Sequence, residues 1–386
     1  MSWEYIRLGD VCAKIGSGAT PKGGSTVYID EGTSFIRSQN IYNLEFSHEG
    51  LAHITEDAAK KLNGVAVQKD DVLINITGDS VARTCMVPDA VLPARVNQHV
   101  AIVRPDSNRL NPRFLNYYLA SPYMQSLMLG LAVGKGASRN AMTKDMLANF
   151  DILCPPIEIQ ESIVGILSTY DALIENNQKQ IKLLEEASQR LYKEWFVDLR
   201  FPGHEDTPIV DGVPEGWEKV GLASIAPIVT GKKDANFGTP DGKYLFFTCA
   251  QEPIRAPSYS FDCNAVILAG NGDFNVKLYR GQFEAYQRTY VFSPNETKHL
   301  YLLYHAVRES MRQLFQGASG STIKFLTKHM LEDITVFVPD KDTLNAFKNV
   351  CDAIQKKIEC LKAQIMYSQE SRDRLLPKLM SGEIEV

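Results

Sequence analysis

Residues 154–199 read CPPIEIQESIVGILSTYDALIENNQKQIKLLEEASQRLYKEWFVDL, and this stretch decides the architecture. Alternating steps of four and three from Ile163 give Leu167, Tyr170, Ile174, Asn177, Ile181, Leu184, Ser188, Leu191 and Trp195. That is a heptad seam with one Asn and one Ser in it, and Lys, Glu and Gln fill most other positions. A shift of 184 residues lands on Phe347, Cys351, Ile354, Ile358, Leu361, Ile365, Ser368, Arg372, Leu375 and Leu379. The seam occurs twice, in the same phase. Each copy spans about 50 Å at 1.5 Å per residue. Two helices with one apolar stripe each are expected to bury those stripes against one another. Antiparallel pairing would put Ile163 near Leu379 and Trp195 near Phe347, with Asn177 as a polar register residue.

The repeat extends outward from the helices. GWEKVGLASI (216–225) echoes SWEYIRLGDV (2–11), and Val72-Leu73-Ile74 matches Val266-Ile267-Leu268. Gly78-Asp79 matches Gly272-Asp273, Gln98 matches Gln287, and Gly136-Ala137-Ser138 matches Gly317-Ala318-Ser319. Thr143-Lys144 matches Thr327-Lys328 before the helices begin. The offset falls from 214 to 181 and then holds at 184. Chance similarity does not keep such an order.

The chain is therefore an α+β protein, a tandem duplication of a mixed α/β globular unit followed by a long helix. The expected segments are a globular unit (1–155), a first helix (156–200), a linker (201–216), a second globular unit (217–338) and a second helix (339–386). A pseudo-two-fold arrangement with antiparallel helices is the natural closure. Within the first copy, 34–41, 70–80 and 94–105 read as strands, and 111–131 has helical spacing after an Asn-Pro start. The Pro, Gly and acid-rich stretch 201–217 has no periodicity and reads as a linker.

A length of 386 residues suits two domains with connecting elements. The composition is 44% hydrophobic and 23% charged, with a mean hydropathy of −0.18. No apolar run reaches transmembrane length, and the opening residues are too polar for a secretory signal. The seven cysteines are scattered, with no CxxC pair, which points to a reduced, cytoplasmic protein. The net charge of −5 means that any DNA affinity must come from local patches or from partner subunits.

No catalytic constellation emerges. There is no GxxxxGK[ST] phosphate loop and no strand–GxGxxG–helix unit. The seven histidines form neither HExxH nor a deaminase pattern. What recurs at matching places is polar loop chemistry. In the first copy the candidates are Arg37, Gln39, Asn40, Thr77, Ser80, Arg83, Asn97, Gln98, Lys135, Arg139 and Asn140. In the second they are Lys232, Lys233, Gln251, Arg255, Asn271, Lys277, Arg280, Tyr286, Gln287, Arg288, Ser321 and Lys324. Arg, Asn and Gln can make bidentate contacts to guanine and adenine edges, and Lys, Ser and Thr suit phosphate oxygens. Solvated loops would explain any one of these residues. Two clusters in the same order argue for binding. His99, in a strand, reads as structural.

These residues also carry a family resemblance. GSGATPKGG and GTSFIRSQNI, KDDVLINITGDSVARTCMVP, ARVNQHVAIVRP, and CPPIEIQESIVGIL with LLEEASQRLYKEWF together resemble a specificity subunit of a type I restriction-modification system. The second copy departs from the pattern at its start, with GKKDANFGT in place of GATPKGG. The resemblance implies two target-recognition domains that read the halves of a bipartite double-stranded DNA site, and a helical pair that sets the spacer. It implies two modification subunits with S-adenosylmethionine chemistry, and restriction subunits using ATP and Mg2+. No cofactor, metal or catalytic residue is expected in this chain. Tyr192, Trp195 and Phe196 are either the helix's own core or a docking surface for a modification subunit. The competing reading is a helical adaptor without sequence-specific DNA readout.

Overall fold

The computed structural model describes residues 3–133, 141–272, 274–318 and 324–386. The chain divides into two compact units, residues 1–176 with 364–386, and residues 177–363. The division cuts through both long helices, so each unit contains a globular part and half of each helix.

In the first unit, a short strand at Glu4–Arg7 pairs antiparallel with Asp151–Cys154, closing the globular part on itself. A four-stranded sheet runs in the order Thr84–Met86, Val72–Asn75, Val100–Pro105, Cys12–Ser17. A second sheet of five short strands contains Thr33–Ile36 parallel to Ala94–Val96. The stretch 94–105, expected as one strand, is thus two strands in different sheets. The break falls at Asn97-Gln98-His99, where Val100 N donates to Asn97 O at 3.1 Å. The helical stretch 111–131 is also two elements, Pro112–Ala120 and Pro122–Ala132. Pro122 has no N–H to continue the first helix. Ser121 instead caps the second, its Oγ accepting from Met124 N at 3.5 Å.

The second unit repeats this plan with fewer residues. Glu218–Gly221 pairs with Thr335–Val338 as the closing strands. One six-stranded sheet takes the place of two, ordered Ile228–Thr230, Thr289–Phe292, Phe261–Ala269, Val276–Ala285, Tyr244–Phe247, Ile254–Ala256. The ten-residue strand Val276–Ala285 does what Thr84–Met86 and Ala94–Val96 do separately in the first unit. The residues between those two strands, 87–93, split it there. Helix Leu300–Gly317 packs its apolar face on this sheet.

The long helices form where the seam places them, at Ile157–Tyr192, prolonged by a π-helical turn at Lys193–Val197, and at Lys341–Ser381. Asp340 starts the second helix, its Oδ1 accepting from Asp342 N and Thr343 N at 2.9 Å each. No seam residue is exposed. In the first unit, Ile163 and Leu167 share a core with Leu376, Leu379 and Met380. In the second, Tyr192 and Phe196 share one with Leu344, Phe347 and Cys351, and Trp195 lies 5.9 Å from Phe347. The start of one helix meets the end of the other, so they run antiparallel. Asn177 is buried in the seam at 2% exposure.

The stretch expected as a linker is ordered. Phe201 is buried and its ring lies 4.3 Å from Trp217, and Ile209–Val210 pairs with Val213–Pro214 in a small hairpin. Two anchoring aromatics and a tight turn fix a segment whose composition alone suggested freedom.

Beside this aromatic core sits His305, 1% exposed, with Nδ1 2.9 Å from Gln189 Oε1 and its ring 5.9 Å from Tyr192. Burial, aided by the charge of Arg308, pushes its pKa down from 6.5 to about 3. The unfolded chain therefore takes up a proton that the folded chain refuses. This contribution to stability is complete above pH 6.5 and is lost as pH falls toward 3, at up to about 1.4 kcal/mol per pH unit. Urea midpoints measured across this window should decline in the wild type, and decline less in His305→Asn.

Candidate nucleic-acid interface

The first unit gathers polar side chains around the ends of its central strands. Ser38, Gln39, Tyr42, Thr77, Gly78, Asp79, Ser80, Arg83, His99 and Ala141 line an open cleft of about 690 Å³. Of the residues expected there, Gln39, Thr77, Ser80 and Arg83 are brought together. Gly78, at φ 80°, turns the chain so that Thr77 and Ser80 face one space. Thr77 Oγ1 lies 2.6 Å from His99 Nδ1, and Asn75 Nδ2 donates to Ser80 Oγ at 3.1 Å. The Arg83 guanidinium sits 4.7 Å from the centre of the Tyr42 ring, which holds it over the cleft. Gln98 is exposed at the adjoining strand end, within 3.3 Å of Thr20 Oγ1.

Tyr42 is not among the expected residues, and His99, expected as a structural residue within a strand, lies in the turn between two strands and lines the cleft. Tyr42 lies three residues beyond Gln39, and His99 directly follows Gln98, so proximity to expected residues was the available signal.

Two of the expected residues are structural. Asn40 is fully buried; its Oδ1 accepts from Arg37 N at 3.0 Å, and its Nδ2 donates to Ser47 O at 3.0 Å and Glu49 O at 3.1 Å. Asn97 is also buried, its Oδ1 accepting from His99 N at 3.1 Å. Both satisfy backbone groups at turns, the work for which Asn is suited. Arg37 is half-buried, with Nη2 donating to Gly50 O at 2.6 Å. Asn40→Ala should cost about 1–3 kcal/mol, the penalty for orphaned buried groups, whereas Gln39→Ala should stay within about 0.5 kcal/mol. Thermal melts of the two variants check this.

The second unit builds a matching surface. Gly18 and Gly231 are equivalents: a Cβ on Gly18 would collide with the carbonyl oxygens of Val96 and Asn97, and one on Gly231 with those of Ala285 and Tyr286. In both units a glycine lets the first loop cross the strand end that bears the exposed glutamine. Gln287 N donates to Lys233 O at 2.9 Å, tying that loop to Tyr286, Gln287 and Arg288. Asn271 bridges to Phe325 as Thr77 does to Ala141, and Gly272 N donates to Lys324 O at 3.2 Å. Lys232, Gln287 and Arg288 are exposed. The Lys233 and Lys324 ammonium groups lie 4.4 Å and 3.8 Å from the rings of Phe237 and Phe315. Gln251 is exposed on the neighbouring loop.

Three expected residues here are placed otherwise. Arg280 does not join the surface; its Nη2 donates to Asp352 Oδ1 at 3.0 Å and to the Tyr301 hydroxyl. Lys277 donates to Ala250 O at 2.9 Å and to Asn275 Oδ1, and burial lowers its pKa. Arg255 lies on the edge strand Ile254–Ala256, with Nη1 3.4 Å from Lys243 O. Lys135, Arg139, Asn140 and Ser321 lie outside the described residues. Of the aromatic trio, Tyr192 and Phe196 are 5% and 2% exposed in the second unit's core, so neither ring offers a docking surface; Trp195 is half-buried.

Among the described residues, no group of three His, Cys, Asp or Glu side chains is placed to hold a metal ion. No described helix is long and apolar enough to cross a membrane.

Comparison with known proteins agrees with the repeat. The model of the type I restriction modification DNA specificity domain matches residues 1–186 and again 214–362. The type I restriction enzyme EcoDI specificity subunit of Escherichia coli is 36% identical over 176 residues, 45% of this chain and 39% of that protein. The MjaIX specificity subunit of Methanocaldococcus jannaschii is 24% identical over 417 residues, covering 100% of this chain and 94% of that protein. A crystal structure of the type I restriction-modification S subunit from M. genitalium shares the fold, with a TM-score of 0.55 at 14% identity over 98% of this chain and 96% of that one. Both globular units and the first part of each long helix fall within the matched segments, and the chain belongs to the family of type I restriction-modification specificity subunits.

Proposed function

We propose that each unit reads one half of a bipartite duplex site through the surface at its strand ends, and that the helix pair fixes the spacer. The observation that carries this reading is the duplicated surface itself. Gln98 and Gln287 stand exposed beside a loop admitted by Gly18 or Gly231, in two units whose intervening loops differ in length. In the first unit Gln39 and Arg83 suit adenine and guanine edges, and Thr77 and Ser80 suit phosphates. In the second, Gln287 and Arg288 fill the base-reading role, and Lys232, Lys233 and Lys324 the phosphate role. Specificity thus comes from side chains with hydrogen-bonding forks, on a protein whose net charge of −5 gives little general attraction to DNA.

On this reading the chain works in the cytoplasm within an assembly. Two modification subunits bring S-adenosylmethionine and methylate adenine, and restriction subunits bring ATP and Mg2+. Trp195, half-buried near the end of the first long helix, is a candidate contact for a modification subunit, since aromatic side chains dominate interface energetics. Methyl transfer to duplex DNA should need the modification subunits and be at background with this chain alone, followed by labelled methyl incorporation. Methylation by the rigorously purified chain would contradict the assignment. A helical adaptor would differ in another way: the assembled complex would bind unrelated duplexes as tightly as any selected one.

A further inference from the structure

We propose that a tyrosine–carboxylate latch in each unit, Tyr117–Asp171 in the first and Tyr301–Asp352 in the second, fixes the angle at which the recognition domain stands on its long helix, and that these latches sharpen spacer discrimination. The inference rests on the bipartite reading above and adds positioning residues to it.

Tyr117 and Tyr301 lie 184 residues apart, the offset of the helical repeat, on helices Pro112–Ala120 and Leu300–Gly317 of the globular parts. Both are 3% exposed. The Tyr117 hydroxyl donates to Asp171 Oδ2 on the first long helix, and the Tyr301 hydroxyl donates to Asp352 Oδ1 on the second at 2.7 Å. Each carboxylate also meets a cation. Arg372, from the opposite long helix, donates to Asp171 Oδ1 at 2.7 Å. Asp352 receives Arg280 at 3.0 Å and Lys348 at 2.6 Å. Although burial opposes it, hydrogen bonds from Lys348, Tyr301 and Arg280 bring Asp352 down to about 2.

The differences between copies make the case stronger. By the 184 offset Asp171 corresponds to Gln355, and Asp352 to Ser168, so the carboxylate has moved by about one helical turn. The cation comes from the opposite helix in one unit, and from a strand and the same helix in the other. The tyrosine-to-helix link is common to both copies although its other members differ. Apolar burial around it, such as Phe114 and Leu115 with Ile163 and Leu167, holds the domain on without favouring one angle. A charge-assisted hydrogen bond has a fixed length and direction. Telling one spacer from the next needs such a restraint, because one base pair shifts a half-site by about 3.4 Å and about 35°.

The test uses the complex with its modification subunits and a duplex library carrying both half-sites at every spacer length. Wild type is expected to favour one length sharply. The double variant Tyr117→Phe with Tyr301→Phe, which keeps both rings, should lower that preference over neighbouring lengths by roughly tenfold, the loss expected when a hydrogen bond to a charged group goes. Base preferences within each half-site should not change. Asp171→Asn with Asp352→Asn should reproduce the broadening. A uniform loss at all spacers, or an unchanged peak in folded Phe or Asn variants, would overturn the latch. If the Phe variants fail to fold while the Asn variants fold and stay sharp, it is overturned as well. A wild-type complex with no spacer preference would instead sink the bipartite reading on which the latch depends.

Discussion

Replacing Gln39, Thr77 and Arg83 with Ala should relax recognition at one half of the DNA site and leave the other half as selective as before. The three line one cleft, with Arg83 held by Tyr42, and none of the three side chains is buried. Gln39 and Arg83 each lose a bidentate base contact worth about 1–3 kcal/mol of discrimination, so these two changes can remove most selectivity at that half, while losing the Thr77 phosphate contact weakens binding to all sequences alike. Gln287→Ala with Arg288→Ala should do the same to the other half. Lys232 and Lys324 test the complementary class. Substituting them should weaken binding to all sequences and lower the salt slope by about one per residue. Half-site profiles from a randomised duplex library decide the matter. If both variant sets changed the same half, the two units would not be independent readers.

Removing one heptad from each long helix, residues 175–181 and 359–365, should shorten the preferred spacer by about 3 base pairs. Seven residues remove about 10 Å of helix, and each base pair occupies about 3.4 Å. The seam stays in phase, so the cores around Ile163 with Leu379 and Trp195 with Phe347 are untouched. The half-site sequences should not change, because no recognition loop moves within its unit. Three base pairs also turn the grooves by roughly 100° at 10–10.5 base pairs per turn, so overall activity should fall while the optimum moves. Methylation across all spacer lengths reads both effects. Retention of the original spacer by the folded deletion variant would rule out the helices as its determinant.

The helices and the duplication were legible because both are long-range regularities. A seam repeated with a 184-residue offset leaves little freedom in type, and every seam residue is buried or half-buried. Shorter features were decided by single residues whose effect is tertiary. Alternation at 94–105 looked continuous, yet the turn at Asn97 sends its two halves to different sheets. Composition made 201–216 a linker, and Phe201 on Trp217 pins it. The site was legible only as a region. Asn40 and Arg280 carry the chemistry of base readers, but a buried turn claims one and a carboxylate on the second long helix claims the other. Residue type gives what a side chain can do; which partner reaches it first is set by contacts far away in sequence. Tyr42 and His99 enter the cleft for the same reason.

The most direct measurement is the methylome of a host carrying this chain with its modification subunits. The account predicts one methylated motif made of two short specified elements separated by unspecified bases of constant number, with Gln39→Ala, Thr77→Ala, Arg83→Ala altering only one element. A single uninterrupted motif, or methylation without sequence preference, would contradict it.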